Sequence, residues 1–66
     1  MKNLQRIRKE KGFSQSKLAE LSNVNLRMVQ KYENGEKDIN KASALTVYQL
    51  AKALDVTVED LLELKG

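Results

Sequence analysis

Apolar residues recur at helical spacing in five separate stretches of this chain. The clearest stripe has the i, i+3, i+4, i+7 spacing of a helix that faces a core, and it consists of Val47, Leu50, Ala51 and Leu54. No stretch alternates apolar and polar residues long enough for a β-strand, except for a short run at 55–59. Glycine, asparagine and aspartate separate the stretches, and proline is absent. The pattern predicts an all-α fold, a compact globule of five helices.

Capping residues and stop residues set the predicted ends of these helices. Gly12 and Gly35 are stops, because glycine readily takes the left-handed backbone that ends many helices. Asn23 is the predicted positive-φ residue between the second and third helices, since Asn tolerates that region better than most residues. The predicted helices are 2–11, 14–21, 25–35, one from Asn40 or Ser43 to Leu54, and one that begins at Thr57 with Asp60 as a partial capping box.

The inner faces of these helices give a predicted core. Phe13 follows the first stop and is expected to be buried. In the second helix Leu18 and Ala19 face inward, together with either Leu21 or Ser22. The other predicted core residues are Leu4, Ile7, Val29, Tyr32, Val47, Leu50, Ala51, Leu54, Val58, Leu61 and Leu62.

Composition argues against catalysis and against a metal site. The 66 residues include no Cys and no His, which removes the usual nucleophiles, bases, zinc ligands and disulfides. The three glycines are isolated from one another, so no glycine-rich phosphate loop is present. Glu59, Asp60 and Glu63 can in principle do acid–base work, but a solvated helix face is the simpler interpretation. We predict a protein that is not an enzyme and needs no metal, cofactor or small-molecule ligand.

Length and hydropathy predict the class of protein. Sixty-six residues are enough for a single domain, 1–66. No apolar run approaches the ~18 residues of a membrane span. The N-terminal MKNLQRIRKEKG lacks the features of a signal peptide. We therefore expect a soluble, cytoplasmic protein with no membrane partner.

The net charge of +3 is unevenly placed along the chain. Residues 1–31 hold eight Lys or Arg and two Glu, a charge of +6, whereas residues 32–66 hold four Lys and seven acids, a charge of −3. A basic first half favours an anionic partner for that half. A chance distribution over solvated helix faces is the alternative.

The third predicted helix has one face without any acidic residue. Turned by 100° per residue, its outer side gathers Arg27, Gln30, Lys31 and Asn34. A helix fits the major groove of B-DNA, where Arg and Lys donate to guanine and Gln and Asn pair with adenine. Gln15, in the first turn of the second helix, adds an amide beside a helix N-terminus that favours phosphate. The alternative is the ordinary polar face of a surface helix.

The run FSQSKLAELSNVNLRMVQKYENG, residues 13–35, resembles the helix-turn-helix of the phage repressor and Cro-type family, the XRE-like transcriptional regulators. The similar elements are Ser14-Gln15, Leu18-Ala19, Val24, Val29, Tyr32 and Glu33-Asn34-Gly35. The later run QLAKALDVTVEDLLE, residues 49–63, is similar to that family's fourth and fifth helices. The resemblance covers nearly the whole chain, and it implies a lambda-repressor-like DNA-binding domain.

Two features depart from the family pattern. Many members have glycine at the positions of Asn23 and Asp55, although both residues here tolerate a left-handed backbone. The loop EKDINKASA, residues 36–44, is longer than the commonest form. The longer loop leaves open where phosphate contacts near Lys37 and Lys41 would lie.

Carried over by position, the resemblance implies a set of DNA-contacting residues. Backbone N–H groups near Asn34 and Gly35 would clamp a phosphate. Leu26 would meet a thymine methyl, with partial burial against the turn as the alternative. The full implied set is Gln15, Asn25, Leu26, Arg27, Gln30, Lys31, Asn34 and Gly35.

The resemblance also implies a role for two charged residues within the fold. Arg8 and Glu33 are similar to the family's ion pair between the first and third helices. A direct phosphate contact is the alternative for Arg8. Met28 lies at the edge of the inner face, where filling the core is its expected role.

Three apolar residues, Leu45, Tyr48 and Leu64, lie off the predicted inner faces. They can cover the end of the core or a neighbouring loop. They can also pair two copies of the chain, because family members often dimerise through the fifth helix and the turn before it. We favour a homodimer through these residues.

The sequence therefore predicts a small transcriptional regulator, a bacterial, phage or plasmid-borne repressor-type protein. It would bind specific double-stranded DNA by placing the third helix in the major groove. The alternative is a protein-interaction module, such as an antitoxin or antirepressor, that keeps the fold but uses the fourth and fifth helices. A nonspecific nucleic-acid binder is a third, weaker possibility.

Overall fold

The computed structural model describes residues 1–64, and these residues form five α-helices and one 3₁₀ turn. No β-strand occurs among them, and the alternating run at 55–59 is a turn that leads into a helix. The all-α fold and the five helices predicted from the sequence are confirmed. The helices are α1 (Asn3–Glu10), α2 (Gln15–Ser22), α3 (Leu26–Asn34), α4 (Ala44–Leu54) and α5 (Val58–Leu61), and the 3₁₀ turn (Ile39–Lys41) precedes α4.

Side-chain caps explain where α2, α4 and α5 begin. The Ser14 hydroxyl accepts a hydrogen bond from the amide of Lys17 at the start of α2. Ser43 does the same for Thr46, which places the start of α4 after Ser43 rather than at Asn40. The capping box of α5 is complete, since the Thr57 and Asp60 side chains each accept from the other residue's amide. These caps satisfy N–H groups that have no partner within the helix.

Left-handed residues end three of the helices. Asn23 follows α2 with φ 58°, as predicted, and Asp55 follows α4 with the same φ. Gly35 follows α3 with φ 84°, where a residue with a Cβ would be strained. α1 ends earlier than predicted, because Lys11 is its C-cap and Gly12 is the positive-φ residue beyond it.

The core lies between the inner faces of all five helices. Leu18 is fully buried, and Ser22 rather than Leu21 accompanies it, because Leu21 keeps 47 % of its surface exposed. Phe13, predicted to be buried, is half-buried and packs against the edge of the core. Ile39, which the sequence placed in a loop, is buried in the 3₁₀ turn. The buried apolar residues are Leu4, Ile7, Leu18, Val24, Val29, Tyr32, Ile39, Val47, Leu50, Ala51, Leu54 and Leu61.

The packing order of the helices places α3 at one side of the molecule. α2 packs on both α3 and α4, and α5 closes the core against α4 and α1. α1 also touches α3. The partly buried residues Ala19, Met28, Val58 and Leu62 extend the core at its edges, so core filling is the role that the structure gives Met28.

The segment after α5 is tied to two distant parts of the fold. The backbone amide of Asn3 donates to the carboxylate of Glu63 at 2.6 Å, and the Asn3 side-chain amide donates to the carbonyl of Leu62 at 2.8 Å. Asn40 pairs in both directions with the backbone of Glu63, at 2.8 and 3.0 Å. The prediction that Glu63 belongs to a solvated face is wrong, because its carboxylate accepts from the first residue of α1.

Within the part of the chain that the structure describes, no helix is long and apolar enough to cross a membrane.

Candidate nucleic-acid interface

The turn between α2 and α3 is held by one buried serine. The Ser22 hydroxyl donates to the carbonyl of Ala19 at 3.4 Å and accepts from the amide of Val24 at 3.2 Å. Val24 is itself buried against the core. These contacts anchor the turn from inside, so the angle between α2 and α3 is set by both backbone and core. The sequence left Ser22 as one of two options and gave no sign of its two hydrogen bonds.

Asn25 starts α3 and directs the first turn of that helix. Its side-chain oxygen accepts from the amide of Arg27 at 2.7 Å, as an N-cap does. The predicted cap at Asn25 is therefore confirmed. The cap occupies that oxygen and leaves the side-chain amide nitrogen to donate outward.

The outer face of α3 is the polar surface that the sequence predicted. Val29 and Tyr32, three positions apart on one face of the helix, turn into the core, so the side chains about half a turn around the helix point to the outside. Arg27 and Gln30 are exposed and Lys31 is half-buried. A shallow groove on this face is lined by Arg27, Gln30, Lys31, Asn34 and Glu36.

Glu36 places a carboxylate at one end of this face. The sequence predicted an acid-free face, which holds for the outward side of α3 itself but not for the residue two positions after it. The Glu36 amide donates to the Asn34 side-chain oxygen at 2.9 Å, and the Asn34 amide donates to the Glu36 carboxylate at 3.3 Å. Asn34 is thus engaged within the protein, and its predicted role rests on the backbone rather than on its side chain.

The backbone near the end of α3 is partly engaged as well. The amide of Lys37 donates to the carbonyl of Lys31 at 3.1 Å, and the amide of Glu36 is bound to Asn34. The Lys2 side chain passes beside Gly35: a Cβ added at Gly35 would lie 3.6 Å from the Lys2 Cε. The phosphate clamp near Asn34 and Gly35 stays a prediction.

A buried ion pair joins α1 to α3 behind this face. Arg8 Nε lies 2.7 Å from one carboxylate oxygen of Glu33, and Arg8 Nη2 lies 3.0 Å from the other. The guanidinium also donates to the carbonyl of Phe13 at 2.6 Å. The Glu33 side chain is only 2 % exposed. The predicted Arg8–Glu33 pair is confirmed, and the geometry is the two-pronged one that suits Arg and carboxylate.

The ion pair also fixes Gln15. The Gln15 amide nitrogen donates to the Glu33 carboxylate at 3.0 Å. Since an ionised carboxylate can only accept, the nitrogen must face inward and the Gln15 carbonyl oxygen must face away. Gln15 and Gln30, which belong to different helices, line one notch together with Gln5, Glu33 and Asn34. The structure thus brings these two predicted residues together, and it adds Gln5, which no spacing in the sequence singled out.

Leu26 is the first residue of α3, and 38 % of its surface is exposed. The side chain is therefore partly buried, as the alternative expected, and the rest of it is open to solvent. An apolar side chain therefore remains open beside Arg27 at the start of the helix.

The three residues predicted to pair two copies of the chain are exposed, but two of them lie on α4 and the third lies after α5. Leu45 and Tyr48 share one face of α4, with 64 % and 52 % of their surfaces exposed. The Lys52 ammonium lies 5.9 Å from the centre of the Tyr48 ring, within the range of a cation–π contact. Leu64 is 65 % exposed and lies in the segment after α5. Each can meet another molecule, so the pairing stays a prediction.

Two helices joined by this anchored turn, with the second presenting a polar outer face, define a helix-turn-helix protein. A family model described as Helix-turn-helix matches residues 4–61. The chain therefore belongs to the helix-turn-helix family of the Cro and C1 repressor type. Members of this family are DNA-binding regulator domains and are typically not enzymes. No curated protein and no solved structure matches the chain.

Proposed function

We propose that this protein binds specific sequences in double-stranded DNA and acts as a small cytoplasmic regulator of bacterial, phage or plasmid transcription. Residues 1–66 would act as one domain, with α3 in the major groove. The observation that carries the proposal is the outer face of α3, where cationic and amide side chains stand clear of the core beside the start of α2. Such side chains match the donor and acceptor pattern of base edges.

The proposed roles follow from chemistry and position. Arg27 lies in the first turn of α3, the part of a recognition helix that meets base edges, and its guanidinium can donate to both acceptors of one guanine. The exposed part of Leu26 would meet a thymine methyl. The proposed DNA-contacting residues are Gln15, Asn25, Leu26, Arg27, Gln30, Lys31, Asn34 and Gly35.

Gln15 would act at the edge of the site in a fixed orientation. Glu33 takes one of its N–H groups at 3.0 Å, so the carbonyl oxygen and the second N–H remain for DNA. A side chain that is already oriented loses less conformational freedom when it binds. The buried Arg8–Glu33 pair thus supports DNA recognition through Gln15, without a direct phosphate contact from Arg8.

Selection of bound duplexes from a random pool, followed by sequencing, tests the proposal. A sharply defined motif is the expected result, and a variant with Arg27→Ala and Lys31→Ala should select a weaker motif. The cap at Asn25 and the core residues of α3 are unchanged in this variant, so we expect it to fold like the natural sequence, which circular dichroism checks. Enrichment of no motif by the natural sequence would contradict specific DNA binding and favour the interaction module, for which the exposed face of α4 is the available surface.

We also propose that two copies pair through Leu45, Tyr48 and Leu64. Two-fold pairing makes the selected motif an inverted repeat with half-site centres about 34 Å apart, one helical turn of DNA. In sedimentation at micromolar concentration, Tyr48→Glu and Leu64→Glu should shift the protein toward monomer. Leu21→Glu, a charge placed on an exposed leucine of α2, should leave the assembly unchanged. A natural sequence that is monomeric both free and on DNA would overturn the pairing.

A further inference from the structure

Asn40, in the loop that joins α3 to α4, forms hydrogen bonds to the segment after α5, and we call this pair of bonds the tie. Asn40 donates to the Glu63 carbonyl at 3.0 Å and accepts from the Glu63 amide at 2.8 Å. One side chain thereby satisfies both backbone groups of a residue 23 positions away. The backbone amide of Asn40 donates to the Asp38 side chain at 2.9 Å, so Asn40 is fixed at both its backbone and its side chain.

The same loop carries two lysines, Lys37 and Lys41. Lys37 lies three positions before Asn40 and Lys41 directly after it, and neither forms an ion pair within residues 1–64. A groove beside the end of α3 is lined by Lys2, Gly35, Lys37, Asp38, Asn40 and Glu63, among others. Lys37 thus stands next to the proposed phosphate clamp, and Lys41 lines a neighbouring groove with Lys37 and Asp38. Asn40, which lies between the two lysines in sequence, is bound to the segment after α5.

Asp38 and Glu63 are the acids that line the groove together with Lys37, and neither forms an ion pair with Lys37. The Asp38 carboxylate accepts from the backbone amide of Asn40, and the Glu63 carboxylate is directed to α1. One of its oxygens lies 2.6 Å from the amide of Asn3, the first residue of α1. A carboxylate is stabilised at that place by the partial positive charge of a helix N-terminus. The contact holds the acid on α1 and leaves Lys37 available to an external anion.

We propose that Asn40 and Glu63 are positioning residues that hold the loop between α3 and α4 so that Lys37 and Lys41 reach DNA phosphates beside the bases read by α3. The inference rests on the proposed function and adds to it a role for the segment after α5. A loop fixed before binding gives up less freedom on the DNA. Loss of the tie would therefore cost phosphate contacts without removing any charge.

The salt dependence of binding separates this role from a purely structural one. Loss of one lysine–phosphate contact lowers the slope of log K against log salt by about one. Lys37→Gln should show that loss. Asn40→Ala removes no charge, yet it should lower the slope by a similar amount, and Lys37→Gln should then add little in the Asn40→Ala background. Affinities are measured on the duplex selected by the natural sequence, with folding checked by circular dichroism at the same temperature.

A second pair of variants tests Glu63 and keeps the proposal open to refutation if Asn40→Ala does not fold. Glu63→Ala and Glu59→Ala each remove one carboxylate, but only that of Glu63 accepts from the Asn3 amide, whereas Glu59 is exposed on α5. Glu63→Ala should lower the salt slope, whereas Glu59→Ala should not. Natural-sequence binding without salt dependence would overturn the proposed function itself. A slope that falls with Lys37→Gln but stays unchanged with Asn40→Ala or Glu63→Ala would overturn only the positioning role.

Discussion

Glu33 is the residue whose loss should cost the fold most among the polar side chains. Glu33→Ala leaves the Arg8 guanidinium buried without its partner, and removal of one member of a buried pair typically destabilises by about 3 kcal/mol or more. Chemical denaturation measures the change in the free energy of unfolding. The double variant with Arg8→Ala should recover part of the loss, since no unpaired charge then remains.

A double-mutant cycle on the same pair isolates its coupling. Residues in direct contact show interaction energies of about 0.5–3 kcal/mol, whereas distant ones are additive. Glu33→Ala combined with Lys17→Ala is the matched control, because Lys17 lies on the exposed side of α2, paired with Glu20. Additive effects of the Arg8 and Glu33 changes would contradict an energetic role for the pair.

Arg27 is the residue we expect to discriminate a base. Arg27→Ala should relax the preference at one base position by about 1–3 kcal/mol, the worth of a two-pronged contact to guanine. Lys17→Ala should weaken all sequences about equally or not at all. The measurement is the affinity for single-base variants of the selected duplex at one salt concentration. An equal loss on every duplex would make Arg27 a phosphate anchor. Base reading would then fall to Gln15, Asn25, Gln30 or Lys31.

Local chemistry made some residues predictable and left others undetermined. The cap at Asn25 and the positive φ of Asn23 follow from side-chain properties alone, so the sequence sufficed for both. Leu21 and Ser22 were equal options, because the choice depends on how α2 packs against the rest of the fold. The bond between Gln15 and Glu33 joins residues 18 positions apart, and no periodicity in the sequence records such a contact.

At the scale of elements, α5 depends strongly on its cap. It has only four residues, too few to be stable without tertiary packing and end contacts. Thr57→Ala removes the hydroxyl that accepts from the Asp60 amide, and it should lower the free energy of unfolding by about 1 kcal/mol. Glu59→Ala, an exposed change in the same helix, is the control. Equal small effects of both changes in thermal unfolding would show that packing alone holds α5.

The start of α4 could not be fixed from the sequence alone. Both Asn40 and Ser43 are good N-caps, so sequence alone offered two starting points. The Ser43 hydroxyl contacts both the amide and the hydroxyl of Thr46, while Asn40 is bound to the segment after α5. Asn40 is thus engaged by a contact far along the chain, which the sequence does not reveal. The burial of Ile39, directly before Asn40, escaped prediction because it also depends on tertiary packing.

At the scale of the whole molecule, the uneven charge should make DNA binding steeply dependent on salt. Residues 1–31 carry +6 and include most of the proposed contacts. Each phosphate contact contributes a slope of about −0.9 in log K against log salt, so a dimer with a few contacts per subunit should lose at least ~100-fold between 50 and 200 mM salt. Lys52→Gln, on α4 next to Tyr48, should leave that slope unchanged. Affinity that stays flat with salt would contradict binding through the basic half.

The hydrogen bonds between the two ends of the described chain also have a consequence for folding kinetics. The bond from the Asn3 amide to Glu63 spans 60 positions, and the Asn3 side chain reaches Leu62 across 59, whereas the ion pair behind α3 spans 25. Closing a longer loop costs more chain entropy before any contact repays it, so we expect these bonds to form after the rate-limiting step.

Substitutions at these bonds should therefore change how fast the protein unfolds rather than how fast it folds. In stopped-flow denaturant experiments, Asn3→Ala should raise the unfolding rate constants and leave the folding rate constants unchanged. Leu18→Ala, in the centre of the core, should slow folding as well. Folding slowed by Asn3→Ala would mean that the chain ends meet early. If the expected pattern holds, the segment after α5 detaches from α1 early in unfolding and docks on it late in folding.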